Sequence, residues 1–92
     1  MPFVPHQTAA FILAECHLAG TSGRYIYGDH ALHQMDRRNV TRGDVRSALG
    51  NAAAATFQPD NGRWKIAGTD RSGDSLSLAV VFENGIVVIT VF

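Results

Sequence analysis

The C-terminal stretch Ser75–Phe92 reads SLSLAVVFENGIVVITVF, and its pattern decides the fold. From Leu76 to Phe82 every second residue is large and apolar, which is the period of a strand that buries one face. Asn84-Gly85 is the strongest short hairpin signal in the chain. The β-branched apolar run Ile86–Phe92 that follows is typical of a strand inside a sheet. The stretch therefore predicts two antiparallel strands, the second of them central.

Working back from this hairpin, the chain changes from strands to helices. Pro59-Asp60-Asn61-Gly62 is a turn signal in front of a predicted strand, Arg63–Thr69. Helical periodicity, a glycine stop and capping residues predict three helices: Thr8–Ala19 before Gly20, His30–Arg38, and Arg42–Leu49 before Gly50. Arg24–Tyr27 is short and aromatic, as in a strand that leads into the next helix. The sequence predicts an α+β fold, with two or three N-terminal helices packed on one face of a four- or five-stranded antiparallel sheet.

Length and composition limit the function. The chain has 92 residues, 46% of them hydrophobic and 17% charged, so we expect one globular domain over residues 1–92. Its formal net charge is zero, which excludes a strongly basic nucleic-acid-binding chain, although the segment Arg24–Arg46 is locally basic. With one cysteine, Cys16, no internal disulfide can form. The apolar runs are too short for a membrane span, and we expect a cytoplasmic protein.

The second predicted helix gathers its polar side chains on one side. At about 100° per residue they fall within roughly 140° of the helix surface: His33, Arg37, His30, Gln34 and Arg38. We call these five residues the polar stripe. Ala31, Leu32 and Met35 fall on the other side and are expected to face the core.

The polar stripe has the chemistry that a phosphodiester requires. Arginine donates paired hydrogen bonds to phosphate oxygens, and imidazole exchanges protons near neutral pH. RNA cleavage without a metal needs a base, an acid and cations near the developing charge, and histidines and arginines are residue types that can supply them. Two other interpretations stay open. A charged outer helix face is commonly just solvated, and His30 and His33 beside Asp29 could bind a metal ion.

Strand residues extend this predicted RNA surface. Arg63 and Lys65 alternate with Trp64 and Ile66, so both project from one face of the sheet and could bind the RNA backbone. Thr90 interrupts an apolar run. A lone threonine in a strand is usually structural, because threonine favours strands.

The segment from His30 to Leu49 resembles a family of small bacterial toxin domains of RelE/BrnT type. HALHQMDRRNVT, from His30 to Thr41, followed by Asp44-Val45 and Ala48-Leu49, is similar to that family's pattern H-x-x-x-R-M-x-x-R-x-I-T/S-x-x-D-V-x-x-A-L. Shorter similar stretches follow in the strands, so the resemblance spans Tyr25–Phe92.

The resemblance implies a RelE/barnase-like fold and an endoribonuclease toxin that needs no metal or cofactor. A cognate antitoxin or immunity protein would be its partner. By position, His30 corresponds to the family's histidine, Arg38 to its second arginine and Thr90 to the polar residue of its last strand. With this resemblance we expect His30 to act as general acid or base, Arg38 and Arg37 to hold the phosphate, and Thr90 to orient a catalytic group. Gln34 stands where the family has arginine, so the charge there would have to come from Arg37. The alternative is a degenerate, non-catalytic interaction module. A free sheet edge could also pair two copies into a homodimer.

Overall fold

Three helices and a five-stranded sheet make up the fold, described for residues 7–92 by a computed structural model. In chain order the elements are α1 (Ala9–Ser22), β1 (Tyr25–Tyr27), α2 (Asp29–Arg38), α3 (Arg42–Gly50), β2 (Ala54–Gln58), β3 (Arg63–Thr69), β4 (Ser75–Phe82) and β5 (Ile86–Val91). The strands lie in the order β1-β5-β4-β3-β2. The α+β class, the packing of the helices on the sheet and the interior position of β5 are confirmed, although β1 lies between α1 and α2 in the chain.

Helix α1 runs further than the sequence predicts. Its N-cap Thr8 accepts a hydrogen bond from the Phe11 amide at 3.1 Å, but the helix passes through Gly20 and ends at Gly23, whose φ is 74°. Gly20 does not end the helix but allows α1 to pack closely against α3. A Cβ at Gly20 would stand 2.3 Å from the Gly50 nitrogen, so a glycine is needed where α1 crosses α3.

Helix α3 begins as its sequence indicates. The Thr41 hydroxyl accepts from the Asp44 amide at 3.1 Å, and the Asp44 carboxylate accepts from the Thr41 amide at 3.0 Å. This reciprocal capping box holds even though aspartate replaces the usual glutamate. Gly28 is the N-cap of α2, so Asp29 lies inside the first turn and not at the cap.

The prediction of a purely antiparallel sheet is wrong at one edge. Strand β1 pairs with β5 in parallel, with Tyr25 opposite Ile86 and Tyr27 opposite Val88. The other three pairings are antiparallel. The β4–β5 hairpin leaves one side of β5 without backbone partners, and buried backbone groups must be paired. Strand β1 supplies these partners, in the parallel direction.

One face of the sheet carries the core. Trp64, Val80 and Val88 lie in one register row, are buried, and pack in a single cluster with residues of all three helices. Alternate residues form the opposite face, with Lys65, Ala79 and Thr90 in one row. A register shift beside Ala79 and Val80 skips Ile89, and it is why Thr90 and Val88, two residues apart on β5, lie on opposite faces. The two faces are therefore chemically distinct, and the helices cover one of them.

Candidate functional site

Helix α2 presents the polar stripe to solvent. His30, His33, Arg37 and Arg38 are exposed and Gln34 is half-buried. Ala31 and Met35 lie in the core, at 0% and 5% exposure, because α2 packs over β5. Leu32 does not follow them: 39% of its surface is exposed. The predicted orientation of α2 is thus right for Ala31 and Met35 and wrong for Leu32.

Side chains of the stripe are neighbours along α2. Residues three or four apart on a helix lie side by side, so His30 adjoins His33 and Gln34, and each of these adjoins an arginine one turn later. His30 and Arg38 are separated by about 12 Å along the axis, at about 1.5 Å per residue. An extended RNA backbone could therefore contact one end of the stripe with its scissile bond and the other with a neighbouring phosphate.

The structure does not bring the strand residues to this stripe. Trp64 and Ile66 are buried in the core on the helix side, so Arg63 and Lys65 project from the opposite face of the sheet. The Lys65 ammonium lies 5.5 Å from the centre of the Phe92 ring. This basic pair is a surface separate from α2.

Thr90 also belongs to the opposite face. It pairs with Ala79, its exposure is 8%, and its hydroxyl donates to the Val91 carbonyl oxygen at 3.4 Å. The sheet stands between its hydroxyl and α2. A direct contact of Thr90 with His30 or Arg38 is therefore not available, and a catalytic orienting role for Thr90 stays a prediction without geometric support.

A concave site lies elsewhere, against the edge strand. A cleft of about 540 Å³ opens between β1, α2 and α3, and we call it the β1 cleft. Its lining residues are Gly23, Tyr25, Ile26, Tyr27, Leu32, Arg42, Gly43 and Arg46. Two arginines and two phenols contribute hydrogen-bond donors, and this lining has no carboxylate. Such a site favours an anionic group.

The β1 cleft is held together by contacts that fix its polar groups. The hydroxyls of Tyr25 and Tyr27 lie 3.0 Å apart, and the Arg42 guanidinium stands 4.9 Å from the centre of the Tyr27 ring. Arg46 donates from Nε to the Gly20 carbonyl and from Nη2 to the Thr21 carbonyl, both at 2.8 Å. Arg46 is therefore anchored to the C-terminal end of α1, while Arg42 rests on an aromatic face.

Burial, and after it the hydrogen bond with the Tyr25 hydroxyl, raise the pKa of Tyr27 well above its ordinary value. The Tyr27 hydroxyl consequently keeps its proton at neutral pH. When one hydroxyl donates to the other, one hydroxyl hydrogen remains for a ligand.

The β1 cleft was not predicted from the sequence, although two signals for it were present. Tyr25 and Tyr27 alternate with Ile26 and so share a face, and Arg42 and Arg46 are four residues apart on one helix. Their meeting depends on α3 lying beside β1, which no local pattern specifies.

Other chemistry is limited among the described residues. Within residues 7–92 no three His, Cys, Asp or Glu side chains are grouped closely enough to hold a metal ion. Cys16 is fully buried in α1, and burial raises the pKa of its thiol to about 12. Its thiol is therefore protonated at neutral pH and has no nucleophilic character there.

The same described part of the chain contains no helix that is both long and apolar enough to cross a bilayer. Compared with protein-family models, curated proteins and solved structures, the chain matches none of them. The roles that the toxin resemblance gives to His30, Arg38 and Thr90 accordingly stay predictions.

Proposed function

We propose that this chain is a metal-independent endoribonuclease of toxin type with a RelE/barnase-like fold, and that its chemistry takes place on the polar stripe of α2. The observation that supports the proposal is the exposure of His30, His33, Arg37 and Arg38 together along one side of a helix. An imidazole accessible to solvent can act as general base or acid, and guanidiniums along the same side of the helix can hold the RNA backbone.

The reaction follows from these groups. The 2′-hydroxyl attacks the adjacent phosphorus, its proton passes to the neutral His30 imidazole, and the bond from phosphorus to the 5′-oxygen breaks. The leaving oxygen takes a proton from an acid, which is water or a neighbouring imidazolium. Arg38 and Arg37, further along α2, donate to the oxygens of the neighbouring phosphate and hold the RNA backbone in place. His33 and Gln34 contact the substrate between these ends.

Two basic residues of the sheet have a different role in this proposal from the residues of the polar stripe. Because Arg63 and Lys65 lie on the far face, they can bind a distant part of a long RNA by charge but not the phosphate under attack. Their substitution would weaken binding of a long RNA and leave cleavage of a short oligonucleotide unchanged.

The test is cleavage of a short single-stranded RNA in EDTA. Loss of a general acid or base typically lowers the rate by about 10²–10⁴-fold, which is the expected effect of His30→Ala. Arg38→Ala should also slow cleavage. Arg71→Ala removes one positive charge from the exposed loop after β3 and is the matched control, with wild-type activity expected. No cleavage by the wild-type chain, or equal cleavage by His30→Ala, would refute the proposal.

A second candidate function is a non-catalytic interaction module. Asp29 lies in the first turn of α2 and Arg37 and Arg38 in its last turn, where each charge complements the helix dipole. Helix stability alone would thus account for these charges, and Gln34 removes the arginine that the resembled family carries. Expression in a bacterial host distinguishes the two functions. A ribonuclease should arrest growth unless its antitoxin or immunity protein is supplied, whereas an interaction module should not.

A further inference from the structure

We propose that the free edge of β1 binds an extended acidic segment of a partner protein, which adds to the sheet as a sixth strand. This surface is distinct from the polar stripe, and its use does not depend on RNA cleavage.

The first observation is the open edge itself. Strand β1 ends the sheet and pairs with β5 on one side. The Gly28 amide donates to the Val88 carbonyl at 2.8 Å, so the alternation of a strand turns the backbone groups of Ile26 toward β5. The amide and carbonyl of Tyr27 and the carbonyl of Tyr25 then point to the open side. The Tyr25 amide donates back to the Gly23 carbonyl at 3.2 Å.

The second observation is a cavity on each side of that edge. The β1 cleft lies on the helix side, where Tyr25 and Tyr27 project. A second groove of about 340 Å³ includes Ile26 and Val87, which pair in register and face away from the helices, together with Arg24 and the β4–β5 turn. Successive side chains of a strand point to opposite faces, so a strand added to β1 would place alternate residues in the two cavities.

Charge and polarity define what the two cavities accept. Arg42 and Arg46 in the β1 cleft are complementary to a carboxylate, and the free phenol hydrogen of the tyrosine pair adds a second kind of donor. Ile26 is 64% exposed and offers apolar surface to the other groove. The segment that fits is one in which acidic and aliphatic residues alternate.

A peptide fits this site better than a nucleic acid. The cationic cleft could bind a phosphate, but RNA has no group that pairs in register with the Tyr27 amide and the Tyr25 carbonyl. Those backbone groups supply affinity in strand addition, and the cavities supply specificity. Because β1 has three residues, the two cavities must contribute much of the selectivity.

The probe is a capped peptide of about seven residues in which glutamate and valine alternate, a length within the usual range of strands. Binding is followed by amide chemical shifts of the isotope-labelled full chain. We expect saturable shifts at Tyr25, Ile26 and Tyr27, and slower solvent exchange of the Tyr27 amide. The same peptide with lysine in place of glutamate, or with N-methyl groups on the amides that would pair, should not bind.

Two variants and a matched control locate the site. Arg42→Ala should weaken binding about tenfold, as expected for loss of a hydrogen bond to a charged group. Ile26→Ser should weaken it severalfold. Leu18→Ser changes a side chain of similar exposure, 61%, on α1 and should leave binding unchanged.

Several results would overturn the inference. One is an unchanged affinity for the N-methylated peptide. Another is an oligouridylate that shifts the same three amides while the glutamate peptide does not, since the edge would then be a nucleic-acid site. A third is concentration-dependent shifts of these amides without any peptide, because a second copy of the chain would then occupy the edge. Loss of RNA cleavage by His30→Ala has no bearing on these outcomes, so the two proposals fail separately.

Discussion

Gly20→Ala should loosen the crossing of α1 and α3 and destabilise the domain. A Cβ at Gly20 would stand 2.3 Å from the Gly50 nitrogen, 2.5 Å from the Gly50 Cα and 2.9 Å from the Arg46 carbonyl oxygen. Carbon contacts are most favourable at about 3.5–4.0 Å, so the two helices would have to separate by roughly 1 Å. The atoms in contact belong to the backbone, and no side-chain rotation can relieve them.

The size of the effect follows from two opposing contributions. Overpacking a core costs about 1–3 kcal/mol, and a clash with backbone belongs at the upper end. Replacing glycine by alanine within a helix raises the free energy of unfolding by up to about 1 kcal/mol, because alanine favours the helical backbone. We expect a net loss of about 2 kcal/mol in the free energy of unfolding. For a domain of this size that is a fall in Tm of roughly 8–16 °C.

Gly50→Ala is the matched control for this crossing. A Cβ at Gly50 would lie 3.8 Å from the Gly20 Cα, an ordinary contact, so this variant should be neutral or more stable by up to about 1 kcal/mol. Urea unfolding followed by the fluorescence of Trp64, which is 6% exposed, measures both variants. A Gly20→Ala variant as stable as the wild type, or equal losses at the two glycines, would refute the packing explanation.

Three further predictions concern single side chains. Burial raises the pKa of Cys16 from 9.0 to about 12, so above pH 9 the unfolded chain releases a thiol proton that the folded chain keeps. Stability should then fall by up to about 1.4 kcal/mol per pH unit, and thermal unfolding of Cys16→Ala should lack this part of the slope. Hydrogen bonds from the Thr41 and Arg71 amides lower the pKa of Asp44 below 3.8, so its stabilising contribution is present at neutral pH and disappears as pH falls through the lowered pKa. Asp44→Asn should flatten that acid limb in a pH series of urea unfolding curves, and an unchanged limb would contradict the assignment. Asn51→Ala removes the side-chain hydrogen bonds to Thr69 that join α3 to β3, and should cost about 1–2 kcal/mol in the same unfolding assay, with Asn61→Ala in the exposed β2–β3 turn as a milder comparison.

Much of the secondary structure was predictable because its signals are local. The capping box at Thr41 and the Asn84-Gly85 hairpin act within a few residues, and both form. The predicted end of α1 was wrong because a glycine after a helical run usually marks the end of a helix. Gly20 instead allows a close contact with a residue thirty positions away in the sequence. A glycine that ends a helix and a glycine that packs against another helix look the same in the sequence. Only the position of the neighbouring backbone distinguishes them.

For the candidate sites, too, only the features that depend on local spacing were predictable from the sequence. Helical spacing placed the polar stripe on the exposed side of α2, since that follows from the 3.6-residue repeat. The prediction that Leu32 is buried was wrong, because the burial of an apolar residue at the border of a helix face depends on how the neighbouring helix packs. The grouping of Arg63, Lys65 and Thr90 with α2 had no such basis, and the sheet separates them.

By itself the sequence determined the helices, most strands, the buried face of the β4–β5 hairpin and the exposed polar side of α2. Each of these depends on interactions between residues close in the chain, where periodicity and capping act. The tertiary structure alone decided the parallel pairing of β1 with β5, the glycine contact between α1 and α3, and the meeting of two tyrosines with two arginines beside an open strand edge. These features join segments far apart in the chain, and their geometry is set by how the whole core packs.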